Sequence, residues 1–145
     1  MELPEYVSIE EVRRICRDLK LRDWTEITDG RVLAEEARTI LAEVNREGMD
    51  VPLEDFRRGL EVELEHGTRF KDANVTNNHP LLTGKIVIAH LKETMDYYLR
   101  LEVAELEGDI LKALLRKNLP KVEKLYAELA KARAALSEAE AKQLG

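Results

Sequence analysis

A single cysteine, Cys16, occurs in 145 residues, so an internal disulfide is excluded. It falls in the apolar series Val12, Ile15, Leu19, which places the thiol in a core rather than at a reactive surface. Aromatic residues are scarce at 5%. No stretch approaches the ~20 apolar residues of a membrane span. The opening M-E-L-P-E-Y has neither the basic start nor the apolar run of a secretion signal. These absences lead us to expect a soluble cytoplasmic protein with no membrane partner. Several catalytic signatures are also missing: there is no G-x-S-x-G, H-E-x-x-H or C-x-x-C. Thr83-Gly84-Lys85 hints at a phosphate loop, but the glycine required five residues before Gly84 is His79, and Ile86 follows where Ser or Thr is needed. No catalytic residue is assigned on these grounds.

What the chain has in quantity is charge, at 36% of residues, with a net value of -6. That suits helices with solvated faces, or surface ion pairs of the thermophile kind. Its sign argues against binding a polyanion. The basic pairs Arg13-Arg14 and Arg57-Arg58 are flanked by acids, so no nucleic acid is expected.

The length fits one domain with a sizeable core. Ser8-Ile-Glu-Glu11 reads as a capping box opening a helix over about 8–20, with Ile9, Val12, Ile15 and Leu19 on one face. Trp24 and Ile27 sit in a loop ending at Asp29-Gly30. A second helix is expected over about 31–47, stopped at Gly48. Pro52 opens a third, ridged by Phe56, Leu60 and Leu64 and ended by Gly67. The segment 67–79 is rich in turn formers. His79-Pro80 then caps and starts a long helix running at least to 107, with an interruption at Gly108-Asp109. Ile110, Leu111, Leu114 and Leu115 resume the pattern, and Asn118-Leu-Pro120 ends it. The last helix, about 120–143, carries Val122, Leu125, Leu129, Ala132, Leu136 and Ala139 in a 3-4-3-4-3 coiled-coil spacing. No strand and no internal repeat is evident.

Two polar clusters stand out. At about 100° per residue, Glu61 and Glu65 point away from the apolar ridge of the third helix and read as solvated charges. Glu63 and His66 flank that ridge, three apart, and face a neighbour. On the long helix, His90, Glu93 and Tyr97 line up between Ile86 and Leu101. Buried groups of this kind must be hydrogen-bonded or paired. The pattern suits a satisfied polar network. As the less favoured alternative it resembles the Glu/His ligand sets of helical bundles, where Glu63, His66, His90 and Glu93 would hold Zn, Mn or Fe. Half of a di-iron set is present, so a metal centre would need a symmetric dimer. A third option is a pocket enzyme with Glu93, beside Tyr97, as general base.

F-R-R-G-L-E-V-E-L-E-H-G (56–67), N-V-T (74–76) and P-L-L-T-G-K-I-V-I-A-H-L-K-E-T-M-D-Y-Y-L-R-L (80–101) resemble a small helical domain family of unknown function from bacteria, archaea and phages. The opening S-I-E-E-V-R-R-I-C-R-D-L is similar too. The resemblance is dense over about 56–102 and implies that both polar clusters belong to one unit. Family members usually have an acid at the position of His79 and often Pro at that of Met95.

The expectation is therefore an all-α protein: a five- or six-helix orthogonal or antiparallel bundle with a long central helix and a coiled-coil-like C-terminal helix. Residues 1–107 would form the domain, with 25–50 an insertion, and 108–145 a C-terminal helical extension. The function expected is a non-enzymatic interaction or assembly module, with metal binding as the alternative. Its partner would be a second copy or another protein, engaged by Val122, Leu125, Leu129 and Leu136.

Overall fold

A computed structural model describes residues 1 and 6–145. Among them are six α-helices and no strand: α1 Ile9–Asp18, α2 Ala34–Val44, α3 Leu53–Arg69, α4 Pro80–Glu93, α5 Tyr97–Leu115 and α6 Leu119–Leu144. They divide into two compact units, Met1–Glu93 and Thr94–Gly145.

In the first unit, Ser8 accepts from the amide of Glu11 at 3.2 Å and starts α1. Glu11 does not return the bond, because its carboxylate is held by Arg14 at 2.7 Å. α2 packs on α3 and α4, α3 on α4, and α1 on α4. Trp24, Ile40, Phe56, Leu60, Leu64 and Val87 are fully or almost fully buried among them. Each such side chain contributes about 1.5–3 kcal/mol relative to exposure. Cys16 is buried as expected, and burial pushes its thiol up. The segment 25–50 is integral to this core: it supplies Val32, Ala37, Ile40 and Val44.

Gly67 does not end α3, which continues to Arg69. A Cβ at Gly67 would collide with Asn78 Oδ1 and lie 2.7 Å from Asn74 Oδ1. The glycine is there to let the 74–78 loop close over the helix. Gly84 serves the same end inside α4, where a Cβ would come within 2.7 Å of Ile40 Cγ2 on α2. α2 stops at Val44, with Asn45 as its C-cap; Gly48 takes a left-handed turn beyond it.

The long helix expected from 80 to beyond 107 is two helices. α4 ends at Glu93 and α5 starts at Tyr97. Thr94 Oγ1 donates to Asp96 Oδ1, and Asp96 accepts from Arg100 through two nitrogens at 2.8 Å each. These short polar side chains satisfy their neighbours locally and compete with the helical ladder. α5 passes through Gly108-Asp109 without a break.

The second unit is a helical hairpin. Gln143 pairs with Asp96, Glu140 with Arg100 and Arg133 with Glu107, so α6 runs antiparallel to α5. Asn118 caps α6 by accepting from the Lys121 amide at 3.2 Å. Leu125, Leu129 and Ala132 of α6 and Ala113 of α5 are buried. Of the two courses open to the last helix, folding back along residues 105–117 or pairing its seam at Leu125, Leu129 and Leu136 with another subunit, the first is found, so this seam is not open to a partner. The hairpin folds back on itself, leaving Leu129 3% exposed. Val122 and Leu136 are half-buried.

Candidate functional site

The first polar cluster begins with Glu63 on α3. Its side chain is 11% exposed, and one carboxylate oxygen lies 3.0 Å from His90 Nδ1 on α4. The helical offset that set Glu63 beside the ridge thus brings it to the facing helix. His66 Nδ1 stands 3.9 Å from the other oxygen of Glu63 and is 68% exposed. Glu93 is exposed at the end of α4. Tyr97 belongs to the second unit, where its ring meets Tyr98 edge-on at 5.1 Å. So Glu63 and His90 are joined, His66 lies at the margin, and Glu93 and Tyr97 fall at successive helix ends. Among the described residues, no group of three or more His, Cys, Asp and Glu side chains is placed to hold a metal ion.

A cleft of about 230 Å³ opens beside this pair, lined by Glu63, His66, Asn74, Thr76, Asn78 and Thr83, among others. Much of that polar lining is already committed. Asn74 Oδ1 accepts from the Asn78 amide at 3.1 Å, Asn78 Nδ2 donates to the Trp24 carbonyl, and the Thr83 hydroxyl donates to the His79 carbonyl at 2.9 Å. Glu63 faces the cleft as a carboxylate already engaged by an imidazole.

His79 does cap α4. Its Nδ1 accepts from the amides of Leu81 and Leu82, at 3.2 and 3.3 Å. Burial pushes the ring below its ordinary value, against the opposing pull of Glu11. Two other acids were not read as structural from the sequence. Glu61 accepts from the Val32 amide at 3.1 Å, so it is an anchor rather than a solvated charge. Glu36 is buried and accepts from Arg22, Trp24 Nε1 and the Leu33 amide. Burial pushes the Glu36 carboxyl up, but these bonds outweigh it and hold it below the usual range. Glu65 is the exposed charge expected, paired with Arg69.

The family comparison follows the same ground. A model of the family described as protein of unknown function (DUF5661) matches residues 12–107. The chain belongs to this family. The match covers the whole Glu63–His90 region and runs through 25–50, and it stops within α5. No curated protein and no solved structure matches the chain.

Beyond the match lies a second candidate surface, at the connector end of the α5–α6 hairpin. Leu111, Leu114, Leu115, Leu119 and Tyr126 are all exposed there, Leu115 at 76% and Leu119 at 62%. Among the described residues, Arg116, Lys117 and Lys121 make no ion pair. Lys117 sits in the left-handed region at φ 53, closing α5 as Asn118 N–H returns to the Ala113 carbonyl. Glycine favours that position. Lys121 lies in the first turn of α6, where a cation opposes the helix dipole. The sequence pattern missed this surface because these leucines were counted as core. The available signal was their number: Leu111, Leu114, Leu115 and Leu119 exceed what one two-helix seam can cover.

Proposed function

We propose that the chain is a non-enzymatic helical interaction or assembly module of the cytoplasm, a bundle domain carrying a docking hairpin. It works with a second copy or another protein, without nucleic acid or a membrane. The observation that carries this reading is the exposed leucine cluster at the hairpin end. Large apolar side chains gathered at one place on a surface mark an interaction site. Lys121 in the first turn of α6 opposes the helix dipole, a local cost set beside these leucines. The seam residues Leu125 and Leu129 hold the hairpin together, and Leu115 and Leu119 do the docking. Replacing both Leu115 and Leu119 by Glu leaves helix content intact and reduces the mass measured by light scattering. An unaltered oligomer in the double variant counts against the reading.

A second reading, metal binding, is favoured by Glu63 lying between two imidazoles. With Glu93 exposed and at a helix end, the remaining ligands would have to come from a second copy. Elemental analysis before and after His90→Ala tests it. Stoichiometric Zn, Mn or Fe that disappears with the imidazole supports it, and no metal in either preparation rejects it.

A further inference from the structure

Both helices of the hairpin carry a second face, turned away from the buried seam. On α6 the exposed residues Leu119, Tyr126, Ala127, Ala130, Ala134 and Ala141 fall on one side. On α5 the corresponding face holds Ala104, Gly108, Leu111 and Leu115, and a Cβ at Gly108 would meet nothing. Glu123 falls on the α6 face, and Arg100, Glu107 and Lys112 of α5 and Arg133 of α6 flank the two faces. On α6 this face passes from Leu119 and Tyr126 through small residues to Leu144, and on α5 Tyr97 and Leu101 continue it toward the open end.

The two ends of the hairpin differ in charge. The connector end, 111–124, carries five cations and one acid, net +4. The open end, 94–107 with 133–144, carries three cations and six acids, net -3. α5 is 19 residues long, about 28 Å at 1.5 Å per residue. The two ends are therefore separated by more than the ~8 Å screening length at physiological salt and act as distinct patches.

We propose that this face is covered by the same face of a second copy, the two hairpins lying side by side and antiparallel. The inference rests on the reading of the hairpin as a docking element and names its occupant. A parallel pair sets +4 against +4 at one end and -3 against -3 at the other, and stacks Tyr126 on Tyr126. An antiparallel pair brings the cationic end of one copy onto the acidic end of the other. It also seats Leu119 and Tyr126 of one copy over Ala141 and Ala134 of the other. The opposite net charges of the two ends select this orientation. The contact is isologous, so it closes as a two-fold dimer instead of propagating. The result is a four-helix bundle built from two hairpins.

Cysteine cross-linking of the full chain tests the orientation. Tyr126→Cys and Ala134→Cys are made separately, with the wild type, whose Cys16 is buried, as the control. Under mild oxidation, an equimolar mixture yields a cross-linked dimer and each variant alone yields little, at least a five-fold contrast. Tyr126→Cys cross-linking to itself overturns the antiparallel arrangement yet leaves the docking reading standing. Light scattering on the wild type separates the two failures. Dimer mass with no cross-link in the mixture rejects this face alone. A monomer at every concentration removes the second copy as occupant, and recruitment to anionic vesicles by that monomer would assign the cationic end to a lipid surface instead. A rise in dissociation constant of ten-fold or more between 50 mM and 500 mM NaCl is the further expected result; salt-independent association contradicts the charge argument.

Discussion

Replacing His79 isolates a cap that depends on one proton. In the folded chain Nδ1 accepts from two amides of the first turn of α4. Only the neutral ring can do so; protonation turns the acceptor into a donor. Losing a helix N-cap costs about 0.5–2 kcal/mol, and His79→Ala also empties a buried site, so about 1–3 kcal/mol is expected in total. Burial lowers the folded-state value, Glu11 pulls it upward, and Arg14 and Lys85 add to the lowering. The unfolded chain therefore binds the proton more readily, with a reference value of about 6.5. His79 contributes fully above that pH, and its contribution is lost as the pH falls from there through the lower folded value. His79→Asp keeps an acceptor and adds a charge suited to a helix start. It does not titrate in this window. Urea unfolding followed by the single buried Trp24 reads the effect at pH 8, 7, 6 and 5. The wild type loses stability between pH 7 and 5 more steeply than His79→Asp. Parallel pH profiles for the two proteins refute the cap.

Three further perturbations test the packing and the hairpin. Gly67→Ala forces the 74–78 loop off α3 and lowers stability by about 1–3 kcal/mol in urea unfolding, whereas a value within 0.5 kcal/mol removes the close-approach argument. Leu129→Ala costs about 2–4 kcal/mol in thermal unfolding and Leu115→Ala, at an exposed site, costs almost nothing in the monomer; equal losses contradict the division between seam and docking face. Asp96 is held at about 2 by Arg100, against burial, with help from Thr94 and Gln143. Its stabilisation is present above about pH 4 and lost as the pH falls through that lower value, and Asp96→Asn costs the hairpin about 1–3 kcal/mol at pH 7 by circular dichroism.

The helices were legible where local rules and burial agree. Ser8, Pro52 and His79 mark starts, and Phe56, Leu60 and Leu64 mark a buried ridge. The rest turned on partners distant in sequence. Gly67 reads as a stop until Asn74 and Asn78 are brought against it. Glu61 reads as a surface charge until the Val32 amide needs an acceptor, and nothing in the pattern singles out Glu36, which the amides of Arg22 and Leu33 reach from other segments. The break at 94–96 left a faint mark in Thr94 and Asp96, and in the proline that the resembling family often carries at 95. Apolar periodicity across 86–104 concealed it. Of the polar cluster, only the Glu63–His90 pair was recoverable from helix geometry, because Glu93 and Tyr97 share a line only on an unbroken helix. The hairpin end escaped because periodicity cannot tell a leucine facing a seam from one facing outward.

The most direct test is the mass of the chain in solution by light scattering, from 10 µM to 500 µM, roughly the range over which such interfaces form. A docking hairpin that takes a second copy gives twice the 16.6 kDa of one chain, and Leu115→Glu with Leu119→Glu restores 16.6 kDa with helix content unchanged. A wild type that stays at 16.6 kDa throughout contradicts the account.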